Sequence, residues 1–200
     1  MTTTDPLGPV LQALNRPGRD TSDYDLNPGT VLAEGRTLRP AGVLVPLMPG
    51  PRGMEVILTK RSSRLKHHPG QIAFPGGKVD EGDADPVAAA LREAEEEIGL
   101  RAKTVEVLGT TGAHETVTGF LVTPVFGRVR DDFKPVPEAG EVDEVFSVPL
   151  AHVANPGNFR VEGRQWRGQV RRYYVVPYGP YYIWGATARI LKALADRMAE

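Results

Sequence analysis

Hydrophobic and polar positions divide the chain into stretches of two periods. Residues 41–47 (AGVLVPL) are apolar at consecutive positions, as a strand buried on both faces should be. A turn over 49–53 leads to a second strand at 54–59, and short strands are predicted at 70–74 and 104–110. Residues 112–129 predict one or two more, with a break near Pro124. Residues 167–177 and 181–184 are aromatic-rich and β-like, a hairpin or strand pair around Tyr178, Gly179 and Pro180.

Helical spacing occurs three times. Residues 5–16 carry Leu7, Val10, Leu11 and Leu14 on one side, and residues 186–198 carry Ile190, Leu191, Leu194 and Met198. The third helix has the clearest ends. Asp85 suits an N-cap, Pro86 suits the first helical position, and Gly99 can take the left-handed conformation that stops a helix. Residues 17–36 and 131–140 read as loop. The strands with one central and one terminal helix predict an α/β sandwich with a mixed sheet. Its domain spans 37–200, behind an extension, 1–36, that covers one edge.

Composition narrows the function classes. A net charge of −1 argues against binding nucleic acid or membranes through bulk electrostatics. The absence of cysteine excludes disulfides, thiolate metal sites and a catalytic thiol. No run of apolar residues is long enough to span a membrane, and the N-terminal stretch lacks the basic start and apolar run of a secretory signal. A cytoplasmic location is the resulting expectation.

Candidate chemistry concentrates on the central helix. Glu93, Glu96 and Glu97 share a helix face, while Glu95 points elsewhere. Like charges at that spacing destabilise a helix, and they lie at the dipole's negative end. A divalent cation with a preference for oxygen ligands, Mg²⁺ or Mn²⁺, would offset both costs. Arg92 reaches Glu96 or Glu95 and orients the cluster. A solvated acidic face is the plain alternative.

The spacing favours the cation. The run from Gly77 to Leu100 resembles the Nudix box, G-x5-E-x7-R-E-U-x-E-E-x-G-U, with Arg92, Glu93, Glu96, Glu97, Gly99 and Leu100 in register. Ala94 stands at the first aliphatic position. Asp83 stands where the pattern has Glu, and eight residues rather than seven separate it from Arg92. Upstream, LTKRSSRLKHHPGQIAFPGG resembles the motif of the coenzyme A diphosphatase subfamily, with Lys66 in place of its second Arg. That subfamily tolerates both departures in the box.

The resemblance implies a Nudix fold and metal-dependent cleavage of the coenzyme A diphosphate into 3′,5′-ADP and 4′-phosphopantetheine. Glu93, Glu96 and Glu97 would hold the metal. Arg61, Arg64 and Lys66, with the backbone of Gly76 and Gly77, would bind phosphate. Glu97, or an acid of the segment containing Glu141 and Glu144, would take the proton from water. A helical turn would place Glu141 and Glu144 on one side. His67 and His68 read as loop or phosphate contacts rather than metal ligands. Many Nudix enzymes pair, so a homodimer is compatible with the resemblance. Three other readings stay open: a Nudix diphosphatase for ADP-ribose, a sugar nucleotide or a dinucleotide; a non-catalytic Nudix-like binding module; and an oligomeric structural protein.

Overall fold

The apolar run near residue 41 lies inside a long strand at the centre of the sheet. The computed structural model describes residues 5–130, 133–166 and 168–200. Asp131, Asp132 and Arg167, which the sequence reading placed in a loop and a strand, lie outside the described residues. In chain order the elements are α1 (Gly8–Asn15), β1 (Thr21–Ser22), β2 (Arg39–Gly50), β3 (Gly53–Arg61), β4 (Ile72–Ala73), β5 (Gly76–Lys78) and α2 (Pro86–Ile98). Then come β6 (Val105–Thr110), β7 (His114–Glu115), β8 (Phe120–Val129), β9 (Val142–Pro149) and α3 (Leu150–Val153). Last are β10 (Arg160–Trp166), β11 (Gln169–Val175) and α4 (Gly185–Ala199).

Among the described residues, nine strands form one mixed sheet in the order β1-β7-β8-β2-β3-β4, with β5 on β2, β6 on β8 and β9 on β3. β2 runs parallel to β8 and antiparallel to β3, so both of its edges are paired. On one face α2 packs over Leu44, Ile57 and Val125. On the other, α1 and α4 pack over Val45, Leu47, Val56 and Leu58. The result is an α/β/α sandwich. No helix among the described residues is long and apolar enough to cross a membrane.

Three expectations need correction. Pro124 does not break its strand: β8 runs through it. The pairing of β6 ends at Val125 and that of β7 begins at Val122, so Pro124 falls between the two ladders, where no donor is required on that side. Second, β11 pairs along its length with β10, a strand the sequence reading did not foresee. The expected pairing around the turn at 178–181 is thus confined to antiparallel bridges of Val175 with Trp184 and Tyr178 with Tyr181 and a bond from the Val176 N–H to the Ile183 carbonyl at 2.9 Å. β10 has few apolar residues and is exposed along most of its length, so it carries little burial signal. Third, Glu144 lies in strand β9 and Glu141 just before it, not together on a helical turn.

Candidate active site

Capping sets α2 in place. Asp85 accepts a hydrogen bond from the Ala88 N–H at 2.8 Å, and Gly99, at φ 74°, donates to the Glu95 carbonyl at 3.0 Å. Between these ends Ala89, Ala90 and Ala94 are fully buried. The helix backbone comes down almost onto β2: a Cβ at Gly42 would lie 1.9 Å from the Pro86 carbonyl oxygen.

That close approach seats two carboxylates against the glycine-rich strand β5. Gly76 donates its N–H to Glu97 Oε2 at 3.1 Å. A Cβ on Gly77 would lie 2.5 Å from Glu93 Oε1, so a larger residue there would push that carboxylate aside. Glu97 is 5% exposed. Burial pushes its carboxyl up to about 7; the Gly76 N–H and Arg61 oppose the shift, and the charges of Glu93 and Glu141 add to it. Glu93 is also raised, by burial first, with Arg92 opposing and Glu96 and Glu141 adding. A cation would relieve the repulsion between these two neighbouring carboxylates.

Glu96 is placed differently. It is well exposed and accepts from Arg92 Nη1 at 2.9 Å. Among the described residues no group of three Asp, Glu, His or Cys side chains is gathered closely enough to hold a metal ion. Glu93 and Glu97 lie at the glycine strand, and Arg92 Nη1 bridges Glu93, at 3.1 Å, and the exposed Glu96, at 2.9 Å. Glu95 turns away, as expected, and accepts from the Ala102 N–H at 3.2 Å.

Arg92 organises the acidic turn. Its Nε and Nη2 meet the two oxygens of Asp83 at 3.0 and 2.9 Å, and Nη2 also reaches the Lys78 carbonyl at 3.3 Å. Asp83 is held below the usual carboxylate range by that fork, with the Asp80 N–H assisting. The two departures in the box thus meet in one interaction: the shorter acid, on a turn one residue longer, still receives the arginine fork.

The phosphate-binding candidates divide by position. Arg61 ends β3, and its charge bears on Glu97. Arg64 and Lys66 are exposed in the loop that follows, with His67 and His68. The loop is tied at both ends: Ser62 donates its N–H to the Glu141 carbonyl at 2.8 Å, and Gly70 donates to the Arg61 carbonyl at 3.1 Å. Asp143 accepts from the Ser63 N–H at 2.9 Å, at the bulge where Lys60 pairs with Glu144 and Arg61 with Val142. Bulges re-aim side chains. Here Glu141 acts on Glu93 and Glu97, whereas Glu144 accepts from the Tyr181 hydroxyl at 2.5 Å, among residues of the other face. The structure therefore separates two acids that the sequence reading grouped. Gly42 and the aromatic residues around Glu144 were not singled out from sequence. A glycine inside an apolar strand was the available signal for Gly42.

Known proteins resemble this chain in sequence and fold. The family model described as "NUDIX domain" matches residues 38–168. A protein of Escherichia coli (strain SMS-3-5 / SECEC) named "Uncharacterized Nudix hydrolase NudL" is 43% identical over 157 residues, covering 78% of this chain and 81% of that one. A protein of the same name from Cronobacter sakazakii is 41% identical over 162 residues, covering 81% and 84%. Among solved structures, a MutT protein from Methanosarcina mazei Go1 superposes with a TM-score of 0.51 at 18% identity, over 84% of this chain and 99% of that one. That likeness bears on the fold alone.

Proposed function

The chain belongs to the Nudix hydrolase family, and from that premise we propose that it hydrolyses the diphosphate of coenzyme A or an acyl-CoA, releasing 3′,5′-ADP and 4′-phosphopantetheine. The observation that carries this reading is the position of Arg61. It belongs to the upstream motif that resembles the coenzyme A diphosphatases, and its charge bears on Glu97 of the box. The two motifs thus meet at one end of the sheet.

Nudix hydrolases generally require a divalent metal, and the residues here fit one. Glu97 is buried beside two like charges, and the Gly76 N–H and the Arg61 charge offset its burial only in part, since its carboxyl stays raised. Glu93 and Glu97 would hold the ion, Mg²⁺ or Mn²⁺, with Glu96 as a further acid at its rim. When bound, such an ion neutralises diphosphate charge and lowers the pKa of a water. The chain's own groups do the rest. Arg61, Arg64 and Lys66 bind the phosphates, Arg61 nearest the reacting end. The Gly76–Gly77 backbone, lacking side chains, lets the substrate come close to the acids. Arg92 fixes the acidic turn through Asp83 and holds Glu96. Glu97, or Glu141 whose charge bears on it, would take the proton from the attacking water.

A hydrolysis panel tests the reading. Coenzyme A, dephospho-coenzyme A, ADP-ribose and diadenosine polyphosphates are offered with Mg²⁺ or Mn²⁺ and the products separated. Release of 3′,5′-ADP from coenzyme A at the highest kcat/KM is expected. Preference for ADP-ribose or a dinucleotide would keep the diphosphatase and overturn the substrate. No hydrolysis of any substrate by protein that binds metal would favour a binding module.

A further inference from the structure

Lys60 and Glu144, paired across β3 and β9, open on a cleft of about 380 Å³ that they line with Gly70, Tyr181, Tyr182 and Trp184. We propose that this cleft receives the adenine nucleoside of the substrate, and that Glu144 serves recognition there rather than catalysis. The inference rests on the substrate reading above only so far as the substrate carries adenosine.

Position is the first ground. Lys60 is the neighbour of Arg61, and Gly70 of the cleft donates its N–H to the Arg61 carbonyl at 3.1 Å. Consecutive strand residues point to opposite faces. The cleft and Arg61 thus lie on opposite faces at one end of β3, and a substrate with its diphosphate at Arg61 and Glu97 would turn around that end of the strand to place its adjoining group in the cleft.

The walls are the second ground. Tyr182 is 40% exposed, yet its hydroxyl donates to Glu162 at 2.5 Å and lies 3.4 Å from the Tyr173 hydroxyl. Trp184 stands 5.1 Å, centroid to centroid, from Tyr173 and 6.5 Å from Tyr182. Residues of the β10–β11 hairpin thus brace two aromatic rings at the cleft without covering them. Braced, accessible rings suit stacking on a flat base, which every nucleobase offers.

Polar chemistry sharpens the choice. Phe146 stacks on Tyr181 at 3.5 Å with planes 7° apart, and the Tyr181 hydroxyl occupies one oxygen of Glu144. A carboxylate has capacity for further donors, and an exocyclic amine of adenine supplies them. Lys60 offers a point charge to a phosphate on the ribose. An acyl chain would have to desolvate both ionisable groups without pairing either.

Calorimetric titration separates the two halves of the substrate. Metal-free wild type, Tyr182→Ala and Glu144→Gln are each titrated with 3′,5′-ADP and with 4′-phosphopantetheine, and folding is checked by circular dichroism. Loss of one stacking partner is expected to weaken 3′,5′-ADP about tenfold in Tyr182→Ala. Glu144→Gln should weaken it as well, with 4′-phosphopantetheine unchanged in both. Unchanged 3′,5′-ADP affinity in both folded variants, weakened 4′-phosphopantetheine instead, or no binding of 3′,5′-ADP to wild type would each overturn the proposal. The two readings fail separately. If coenzyme A is not cleaved but both variants lose 3′,5′-ADP affinity, the cleft assignment stands without that substrate. If all three proteins cleave coenzyme A with one KM, the substrate stands and the cleft assignment falls.

Discussion

Helix α2 meets the sheet through Ala89, Ala90 and Ala94, whereas α4 meets it through Ile190, Leu191 and Leu194. The small residues let α2 descend until its first carbonyl lies where a Gly42 side chain would be. Carboxylates on the same helix then rest on the backbone of Gly76 and Gly77. On the opposite face the bulky side chains fill a conventional apolar core. There the polar chemistry stays at the rim, around Lys60, Glu144 and the aromatic residues. Close backbone packing creates an acid site; side-chain packing creates stability and leaves a cleft.

Gly42→Val breaks the contrast most completely. Its side chain would collide with the Pro86 carbonyl, so α2 must lift. Overpacking of this kind costs about 3 kcal/mol or more. Activity should fall along with the melting temperature, since Glu93 and Glu97 move with the helix. Denaturant unfolding and turnover, measured together, check it.

Leu191→Ala makes the complementary cut. The residue is fully buried on the α4 face, and a Leu→Ala cavity costs about 2–5 kcal/mol. Denaturant unfolding should register that loss while kcat of the folded fraction is kept. A large fall in kcat would mean that the two faces are not independent.

Glu97 sharpens the comparison through pH. Its carboxyl is pushed up to about 7 in the folded chain from an ordinary value of 4.5. Between those values the folded chain keeps a proton that the unfolded chain has lost. Stability from this group is therefore full below about 4.5 and is lost as pH rises through about 7. Over that window metal-free protein should lose roughly 3 kcal/mol to this group. Glu97→Gln removes that part of the slope, so the variant should be the more stable at pH 8 in the absence of metal, by urea unfolding.

Arg92→Lys is the mildest change. A lysine keeps the charge but cannot form the fork on Asp83. The melting temperature should shift least of the four, with a fall in kcat/KM as the acidic turn loosens. Unchanged kinetics would show that the fork has no bearing on the site.

What could be read from sequence follows the range of the interactions. The ends of α2 were legible because Asp85, Pro86 and Gly99 act within a few residues of themselves. α4 was legible because Ile190, Leu191 and Leu194 repeat at helical spacing. That Glu95 points away from Glu93 and Glu97 was legible from helical spacing. Partners distant in sequence were hidden. Nothing near Glu144 announces Tyr181, and the bulge that separates Glu144 from Glu141 depends on pairing with Lys60 and Arg61. The exposure of Glu96 was hidden too: its pairing with Arg92 was one of two options at helical spacing, but only the fold brings Asp83, Glu93 and Glu96 to that one arginine. β10, mostly exposed, shows too little alternation of buried and solvent positions to be seen alone.

The account stands or falls on whether Glu93 and Glu97 form a cation site. Thermal unfolding at pH 8 with and without Mg²⁺ or Mn²⁺, for wild type and Glu97→Gln, measures this without any substrate. The cation should raise the melting temperature of wild type by several degrees at saturation and leave Glu97→Gln almost unmoved. An equal rise in both proteins, or none in wild type, would contradict the assignment.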